Sequence, residues 1–432
     1  IDVQYYLWHQ DETGRLLAHR LLAAADRGVR VRILVDDMAV DGGDASALAL
    51  DAHPSIEVRI FNPFDRRSPR TLQYVTRFGV VTRRMHNKSF TVDNRATILG
   101  GRNIGDEYFD TDPSVNFQDL DVLGIGQIAP AVSAAFDAYW NHELAWPVSA
   151  LVEKLPTAEA VAQARAALND YIDGNLKSPY LQRLNKQTLL HRFRDGSVRF
   201  TWADWQLLVD DPDKLRFSRS RKDLRLSEQL MPHLDAIEHR LLIVSPYFVP
   251  GVYGSNWLIS LAKRGVRVRV LTNAQSSTDV GIVHAGYQRY RKRLLRGGVE
   301  LYEVNRRLSK EQRAARRHIG DSSKSSLHAK VFVLDGEAVF IGSLNLDPRS
   351  VVENSEIGVL VQSPELARQI ERWFDANQPE LAFRLKLDSH NHLRWYGRKG
   401  GQPVVLDREP YVKWWQALGV DLMSWLPIES QL

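Results

Sequence analysis

One histidine–lysine pair occurs twice in the sequence, each time followed at the same spacing by an aspartate. The first set is His86-Asn87-Lys88 with Asp93, the second His328-Ala329-Lys330 with Asp335. Ser89-Phe90-Thr91-Val92 and Val331-Phe332-Val333-Leu334 read as strands. Side chains two apart on a strand share a face, so His and Lys point the same way in each set. Asp335-Gly336 is a good two-residue hairpin turn and Asp93-Asn94 its weaker equivalent. The returning strands end in Gly100-Gly101-Arg102-Asn103 and Gly342-Ser343-Leu344-Asn345. Gly100 and Gly342 remove a side chain where backbone or ligand must come close, and Asn103 and Asn345 are carried back beside the His and Lys. Asp119 and Glu356 follow, each the acidic partner expected to hold one histidine in a fixed tautomer. Asp93 and Asp335 lie beyond the strand at the turn and are expected to be structural rather than catalytic.

A phosphodiester is the substrate that such a doubled set suits. Its displacement builds charge on the equatorial oxygens, which two ammonium groups and two amides can neutralise. One neutral imidazole can attack phosphorus and form a phosphohistidine. The other, protonated, can hand its proton to the leaving alkoxide, a contribution worth about 10²–10⁴ in rate. No metal is called for, because lysines supply the positive charge. A lone His beside a Lys on a strand is usually an ordinary residue; the duplication in register makes a site of it.

The elements that must position these groups are duplicated too. Arg27-Gly28-Val29-Arg30-Val31-Arg32 recurs letter for letter as Arg264-Gly265-Val266-Arg267-Val268-Arg269, and Ile56-Glu57-Val58 has its counterpart in Val299-Glu300-Leu301. In both copies a helical stretch precedes the glycine, which suits a left-handed helix stop, and the alternating Val/Arg run reads as a strand. A helix expected from Ala129 to about Glu143 closes the first copy, and one from Pro364 closes the second. The spacing is too long for a solenoid, so the expected fold is α/β, two tandem duplicated domains, each a mixed β-sheet flanked by helices. The expected boundaries are 1–150 for the first domain, 151–195 for a helical connector, and 196–432 for the second domain with a C-terminal extension.

Composition agrees with this. The 432 residues hold two or three domains with ample core, and 44% hydrophobic with 25% charged residues exclude wholesale disorder. The formal charge of +5 permits an anionic partner without demanding one. With no cysteine, disulfides, thiolate zinc sites and cysteine nucleophiles are excluded together. No apolar run reaches 18 residues, so no transmembrane helix is expected. Ile1-Asp2-Val3-Gln4-Tyr5-Tyr6 already reads as a strand, so the sequence is expected to begin inside a domain, any leader, anchor or span lying upstream of it.

The paired H-x-K-x4-D motifs, each followed by G-x-x-N, resemble the phospholipase D superfamily over essentially the whole chain. Arg84 to Phe90, Gly100 to Phe109, Ser245-Pro246-Tyr247-Phe248-Val249-Pro250-Gly251, Thr278-Asp279-Val280, Val283-His284-Ala285-Gly286-Tyr287 and Leu426-Pro427-Ile428-Glu429 narrow the resemblance to its bacterial cardiolipin synthase branch, most similar to the C type. The resemblance implies one active site on the pseudo-twofold interface between two such domains. It implies transfer of a phosphatidyl group from one phospholipid to the glycerol hydroxyl of phosphatidylglycerol, with phosphatidylethanolamine a further candidate substrate. It makes His86 the nucleophile and His328 the general acid/base, a choice the symmetric residues leave open, and has Asn103 and Asn345 complete the phosphate cradle. Tyr247 and His284 become substrate-binding candidates, although spacing alone makes His284 one residue of an apolar helical stripe running from Asp279 to Leu295. No cofactor and no metal are implied. The expected partners are phospholipids and a membrane surface, with no nucleic acid, and the need for an accessory protein stays open. The expected location is the bacterial inner membrane, peripheral or anchored through a segment not present in this chain. Hydrolysis of phospholipids is the alternative within the same chemistry; a metal-independent nuclease and a non-catalytic binding module are the rivals outside it.

Two basic runs and a tail remain. Residues 306–324 carry seven Lys and Arg and read as a loop beside the site, suited equally to anionic headgroups and to plain solvation. Lys214, Arg216, Arg219, Arg221, Lys222 and Arg225 are expected on an exposed charged face, with a lining of the site entrance as the alternative. Tyr411, Trp414, Trp415, Leu418, Leu422 and Trp425 have helical spacing, for packing on the domain or for lying at a membrane interface.

Overall fold

The computed structural model describes residues 1–39, 44–77, 79–111, 116–186, 188–217, 219–278, 281–305, 325–399 and 401–412. The loop 306–324, Asp279, Val280 and the tail from 413 onward therefore lie outside the described residues.

Two mixed sheets form the framework. The first has the order β7 (Asp121–Ile125), β5 (Ala96–Gly100), β4 (Ser89–Val92), β1 (Asp2–Tyr5), β2 (Val31–Asp36), β3 (Ile56–Phe61), β8 (Ala145–Pro147). The second repeats this order as β16 (Ile357–Gln362), β15 (Ala338–Gly342), β14 (Val331–Leu334), β10 (Arg240–Val244), β11 (Arg267–Asn273), β12 (Glu300–Val304). β17 (Ala382–Leu387), antiparallel to β12 as β8 is to β3, completes the repeat, and the sheet gains β9 (Asp204–Val209) at one edge and β18 (Leu393–Lys399) and β19 (Gln402–Leu406) beyond β17. Matching pairs also agree in sense: β1–β2 and β10–β11 are parallel, β1–β4 and β10–β14 antiparallel. A separate parallel pair, β6 (Asn116–Gln118) with β13 (Ser325–Leu327), joins the halves.

The repeat lies where its physics places it. Gly28 (φ +87°) and Gly265 (φ +95°) adopt the left-handed conformation that stops the preceding helix. Those helices are α1 (Glu12–Asp26) in the first half and, after α2 (Ala45–Asp51), α3 (Arg70–Thr76), α4 (Ile128–Trp140), α5 (Ala158–Gly174), α6 (Pro179–Asn185), α7 (Thr188–Arg194) and α8 (Leu226–Asp235), α9 (Gly251–Lys263) in the second. The C-terminal half continues with α10 (Gly281–Gln288), α11 (Arg291–Arg296) and α12 (Pro364–Leu381). α4 ends three residues short of the expected Glu143.

The expected helix to Leu295 is two, broken at Arg289–Tyr290. Tyr290 and Arg291 are consecutive yet both buried, Arg291 between Glu303 (3.1 Å) and Glu409 (2.6 Å). In the second basic run Arg216, Arg219, Arg221 and Lys222 are exposed as expected, the three arginines pairing with Glu143, Glu353 and Asp223, while Lys214, on Asp210 at 2.9 Å, and Arg225 are buried. The halves meet through an apolar layer in which Leu99, Ile128 and Val132 cluster with Ile357, Val359 and Val361.

Candidate active site

Each histidine is presented by its own half and stitched to the other. Ahead of His86, Arg84 is fully buried and donates to Asp36 at 3.2 Å and to the carbonyl of Asn62 at 3.1 Å. Asp36 accepts the Met85 N–H at 2.9 Å. Met85 bridges to Ser355, and His86 N–H donates to the Ser355 carbonyl at 2.9 Å. Ahead of His328, β13 runs parallel to β6, and the N–H groups of His328 and Ala329 both donate to the Gln118 carbonyl, at 2.8 and 2.9 Å. The acids therefore cross over. His86 Nδ1 lies 2.8 Å from Glu356 Oε2, and His328 Nδ1 lies 2.6 Å from Asp119 Oδ2. A carboxylate accepts, so Nδ1 carries the hydrogen and Nε2 of each ring keeps its lone pair.

Two positions that motif reading passed over do the same work in each half. Asp36 ends β2 and Asn273 ends β11, at corresponding places in the repeat. As Asp36 holds Met85, the Asn273 side chain brackets Leu327, accepting its N–H at 2.9 Å and donating to its carbonyl at 3.0 Å. Both fix the residue immediately before a histidine. The signal was present in the register of the repeat itself, since each closes the strand that follows the duplicated Arg-Gly-Val-Arg-Val-Arg. The aromatic walls were also missed. Tyr6 stands edge-on to His86 at 5.0 Å, while Tyr108 and Phe117 flank His328 at 5.1 and 5.3 Å.

The lysines are buried with the imidazoles. Lys88 Nζ donates to the His86 carbonyl at 2.6 Å, and Lys330 Nζ lies 3.0 and 3.2 Å from the two ring nitrogens of His328. Burial, followed by the charges of Lys88 and Lys330, pushes His86 well below the usual imidazole range. Burial and then Lys330 push His328 down to about 4, with Asp119 opposing. The carboxylates differ. Burial opposes ionisation of Asp119, yet the charge and hydrogen bond of His328, helped by Lys330 and Arg102, hold it at about 2. Glu356 is pushed up to about 7 by burial, which Lys88 only partly offsets. Asp119 thus stays ionised at neutral pH and Glu356 is poised between its two forms.

The asparagines are not equivalent. Asn103 is engaged, its Oδ1 accepting from Leu7 N–H at 3.3 Å and its Nδ2 donating to Tyr108 Oη at 2.9 Å. Asn345 is buried with Oδ1 lacking a hydrogen-bond partner among the described residues. Gly100 and Gly101 serve close approach: an added Cβ would come within 2.2 Å of Asp121 Oδ1 and 2.6 Å of Asp119 Oδ1 respectively. At Gly342 it would meet the Ile357 carbonyl at 2.5 Å. Asp335, at φ +53°, accepts N–H groups from Glu238, His239 and Arg240 at 2.8–2.9 Å and so clamps the start of β10. Asp93, at φ +54°, sits exposed on the matching turn. Tyr247 lies on the segment that pairs with Leu346 beside Asn345. His284 is buried behind Asn273, whose backbone it contacts, and 4.0 Å from Glu409, outside the group formed by the two histidines and lysines. Among the described residues the His, Asp and Glu groupings with metal-ligand spacing reduce to His9, Asp11 and Glu107, in which Asp11 already caps α1 through Gly14.

Known proteins share this arrangement of sequence. The family described as "Cardiolipin synthase, PLD-like domain" matches residues 1–140 and 230–377, one stretch in each half. Cardiolipin synthase C of Escherichia coli is 41% identical over 99% of this chain and 90% of its own length. An uncharacterized protein of Helicobacter pylori is 34% identical over 92% of this chain and 75% of its own. Among solved structures, the phosphatidylserine synthase of Haemophilus influenzae superposes with a TM-score of 0.57 at 15% identity, covering 88% of this chain and 81% of that one, a likeness of fold. With a profile matched in both halves and relatives aligned almost end to end, the chain belongs to the cardiolipin synthase family of phospholipase D-like proteins.

Proposed function

We propose that the chain is a metal-independent phosphatidyltransferase of the cardiolipin synthase type, moving a phosphatidyl group between phospholipids through a phosphohistidine. The observation that carries this reading is the crossed pairing, in which each half's histidine is held by the other half's carboxylate with a buried lysine beside it. The unequal acids support the assignment of roles. His86 is neutral, donates Nδ1–H to Glu356, and has Nε2 free to attack phosphorus. His328 backs onto an ionised Asp119, the better counter-charge for an imidazolium. A phosphodiester anion between the lysines relieves the repulsion that depresses both rings, and His328 is the ring that gains the proton.

In the first step the His86 Nε2–P bond forms and the P–O bond to the donor headgroup breaks. His328 gives its proton to the departing oxygen. In the second, His328 takes the proton of the acceptor hydroxyl, that oxygen bonds to phosphorus, and His86 is released. Lys88, Lys330 and the Nδ2–H donor of Asn345 carry the charge on the equatorial oxygens. The substrates of this reading are phosphatidylglycerol, with phosphatidylethanolamine as a second donor, met at a membrane surface. Among the described residues no helix is long and apolar enough to cross a membrane.

The test is product analysis by mass spectrometry after mixing the enzyme with vesicles of phosphatidylglycerol and phosphatidylethanolamine in EDTA. Cardiolipin is expected, and it should vanish with His86→Ala. Phosphatidic acid alone would make the enzyme a phospholipase, and neither lipid product would overturn the reading.

A further inference from the structure

The two halves treat the same pair of helices differently. In the second, α9 and α11 close directly on each other: the Ile259 side chain lies over Gly297, where an added Cβ would come within 2.4 Å of it. In the first, α1 and α2 follow the corresponding strands, but the connector helix α5 packs against both, and a cavity of about 590 Å³ lies between them and the sheet. Its floor includes Ile33 of β2 and Val58 of β3, and its walls include Ala18, Ala49, Ala164 and Ala167. Close-packed cores fill such positions with Leu or Phe; here short side chains on three helices leave the space open. The size is that of a small-molecule pocket.

Polar groups stand at the two ends of α1, which is roughly 22 Å long at 1.5 Å per residue. His9 and Arg15 rim one end. At the other, His53 (3.3 Å) and Arg165 are both held by Asp26. The first end adjoins the candidate active site. Trp8 and His9 continue the chain past Tyr6, whose ring is 5.0 Å from that of His86, and the intervening Leu7 donates its N–H to Asn103. Three residues of extended chain span about 10 Å, so the mouth opens close to the reacting imidazole. Its rim is fixed, because Trp8 Nε1 donates to the Gly14 carbonyl at 3.2 Å and His9 N–H to the Ile104 carbonyl at 2.8 Å.

We propose that this cavity receives one acyl chain of a phospholipid whose phosphate lies between His86 and His328. The inference rests on the phospholipid reading given above and adds to it where a substrate tail goes. The position carries the argument: a largely apolar cavity beside α1, lined on one side by Trp8 and His9, which follow Tyr6 at the candidate active site in the chain.

Ala164→Trp and Ala167→Trp fill the cavity from α5, whose own face toward it is solvent-accessible, and Ala166→Trp on the outer side is the control. Two readouts are compared in the full chain: binding of a fluorescent polyene fatty acid, and turnover of dihexanoyl against dioleoyl phosphatidylglycerol. The expected result is saturable binding of about one probe per chain in the wild type and control, weakened at least tenfold in both filling variants. Those variants should also lose preference for the long-chain substrate while keeping dihexanoyl turnover within about twofold. Unchanged probe binding in the filling variants, or equal loss on short and long substrates, would overturn the proposal. Transfer by the wild type without probe binding would overturn it while leaving the enzymatic reading intact. Probe binding without any transfer would instead sink the enzymatic reading, and the substrate-tail assignment with it.

Discussion

The difference between the two buried carboxyls predicts unequal consequences of removing their charges. In Asp119→Asn, the imidazolium of His328 loses a counter-charge whose oxygen is 2.6 Å from Nδ1. With charge centres about 4 Å apart and an effective dielectric of 20, the interaction is worth about 4 kcal/mol, close to three orders of magnitude in the proton affinity of the ring. General acid catalysis contributes about 10²–10⁴ in total, so kcat should fall roughly 10³-fold with KM little changed. Glu356 is pushed to about 7 by burial and serves a histidine that is neutral in the ground state. Glu356→Gln keeps an oxygen to accept Nδ1–H and should cost about tenfold. The assay is rapid-quench measurement of phosphatidyl transfer from two donors, phosphatidylglycerol and a phosphatidyl p-nitrophenyl ester. The p-nitrophenolate leaves without a proton, so Asp119→Asn should recover most of its first-step rate on that donor and Glu356→Gln should not change its ratio. Equal losses on both donors, or a larger loss in Glu356→Gln, would refute the assignment of His328 as the acid.

Three further outcomes follow from the same geometry. Gly101→Ala places a methyl group 2.6 Å from Asp119 Oδ1 and 3.1 Å from Lys330 Cδ; displacement of these groups should lower kcat by about 10–10² with an unchanged circular dichroism spectrum, and wild-type kcat would contradict the packing described. Asp335→Ala removes the acceptor of three backbone N–H groups and should cost about 1–3 kcal/mol in denaturant unfolding, with kcat per folded molecule within twofold; a catalytic defect without instability would contradict its structural role. The folded-state pKa of Glu356 is raised, to about 7, so its contribution to stability is complete below its unfolded value of about 4.3 and is lost as pH rises through 7. Relative to wild type, Glu356→Gln should therefore gain stability between pH 4.5 and 8, by up to about 3 kcal/mol, and a difference flat with pH would refute that shift.

Much of this was legible in the residues. The duplicated strand signature, the two H-x-K pairs, the turn at Asp335-Gly336 and the returning Gly…Asn segments all respond to local rules of alternation and turn chemistry, and these rules hold wherever the segment ends up. What local rules cannot contain is which acid meets which histidine. Asp119 and Glu356 each lie in the same half as one histidine along the chain, but the pairing is set by β6 with β13 and by Met85 with Ser355, contacts between halves. The inequality of Asn103 and Asn345 is hidden for the same reason, since Leu7 and Tyr108 engage the amide of one while the amide oxygen of the other has no partner among the described residues. Lys214 departs from expectation because a charged side chain is read as exposed until its buried partner is known. The cavity beneath α1 was beyond sequence reading: alanines on three separate helices look like good helix formers until they are seen to face one space.

In the proposed mechanism His86 carries the phosphatidyl group and His328 the proton. Reaction of the enzyme with phosphatidylglycerol, quenched in alkali where phosphohistidine survives, followed by digestion and peptide mass spectrometry, tests it most directly. A phosphatidyl adduct is expected on the peptide containing His86, absent in His86→Ala. An adduct on the His328 peptide instead would contradict it.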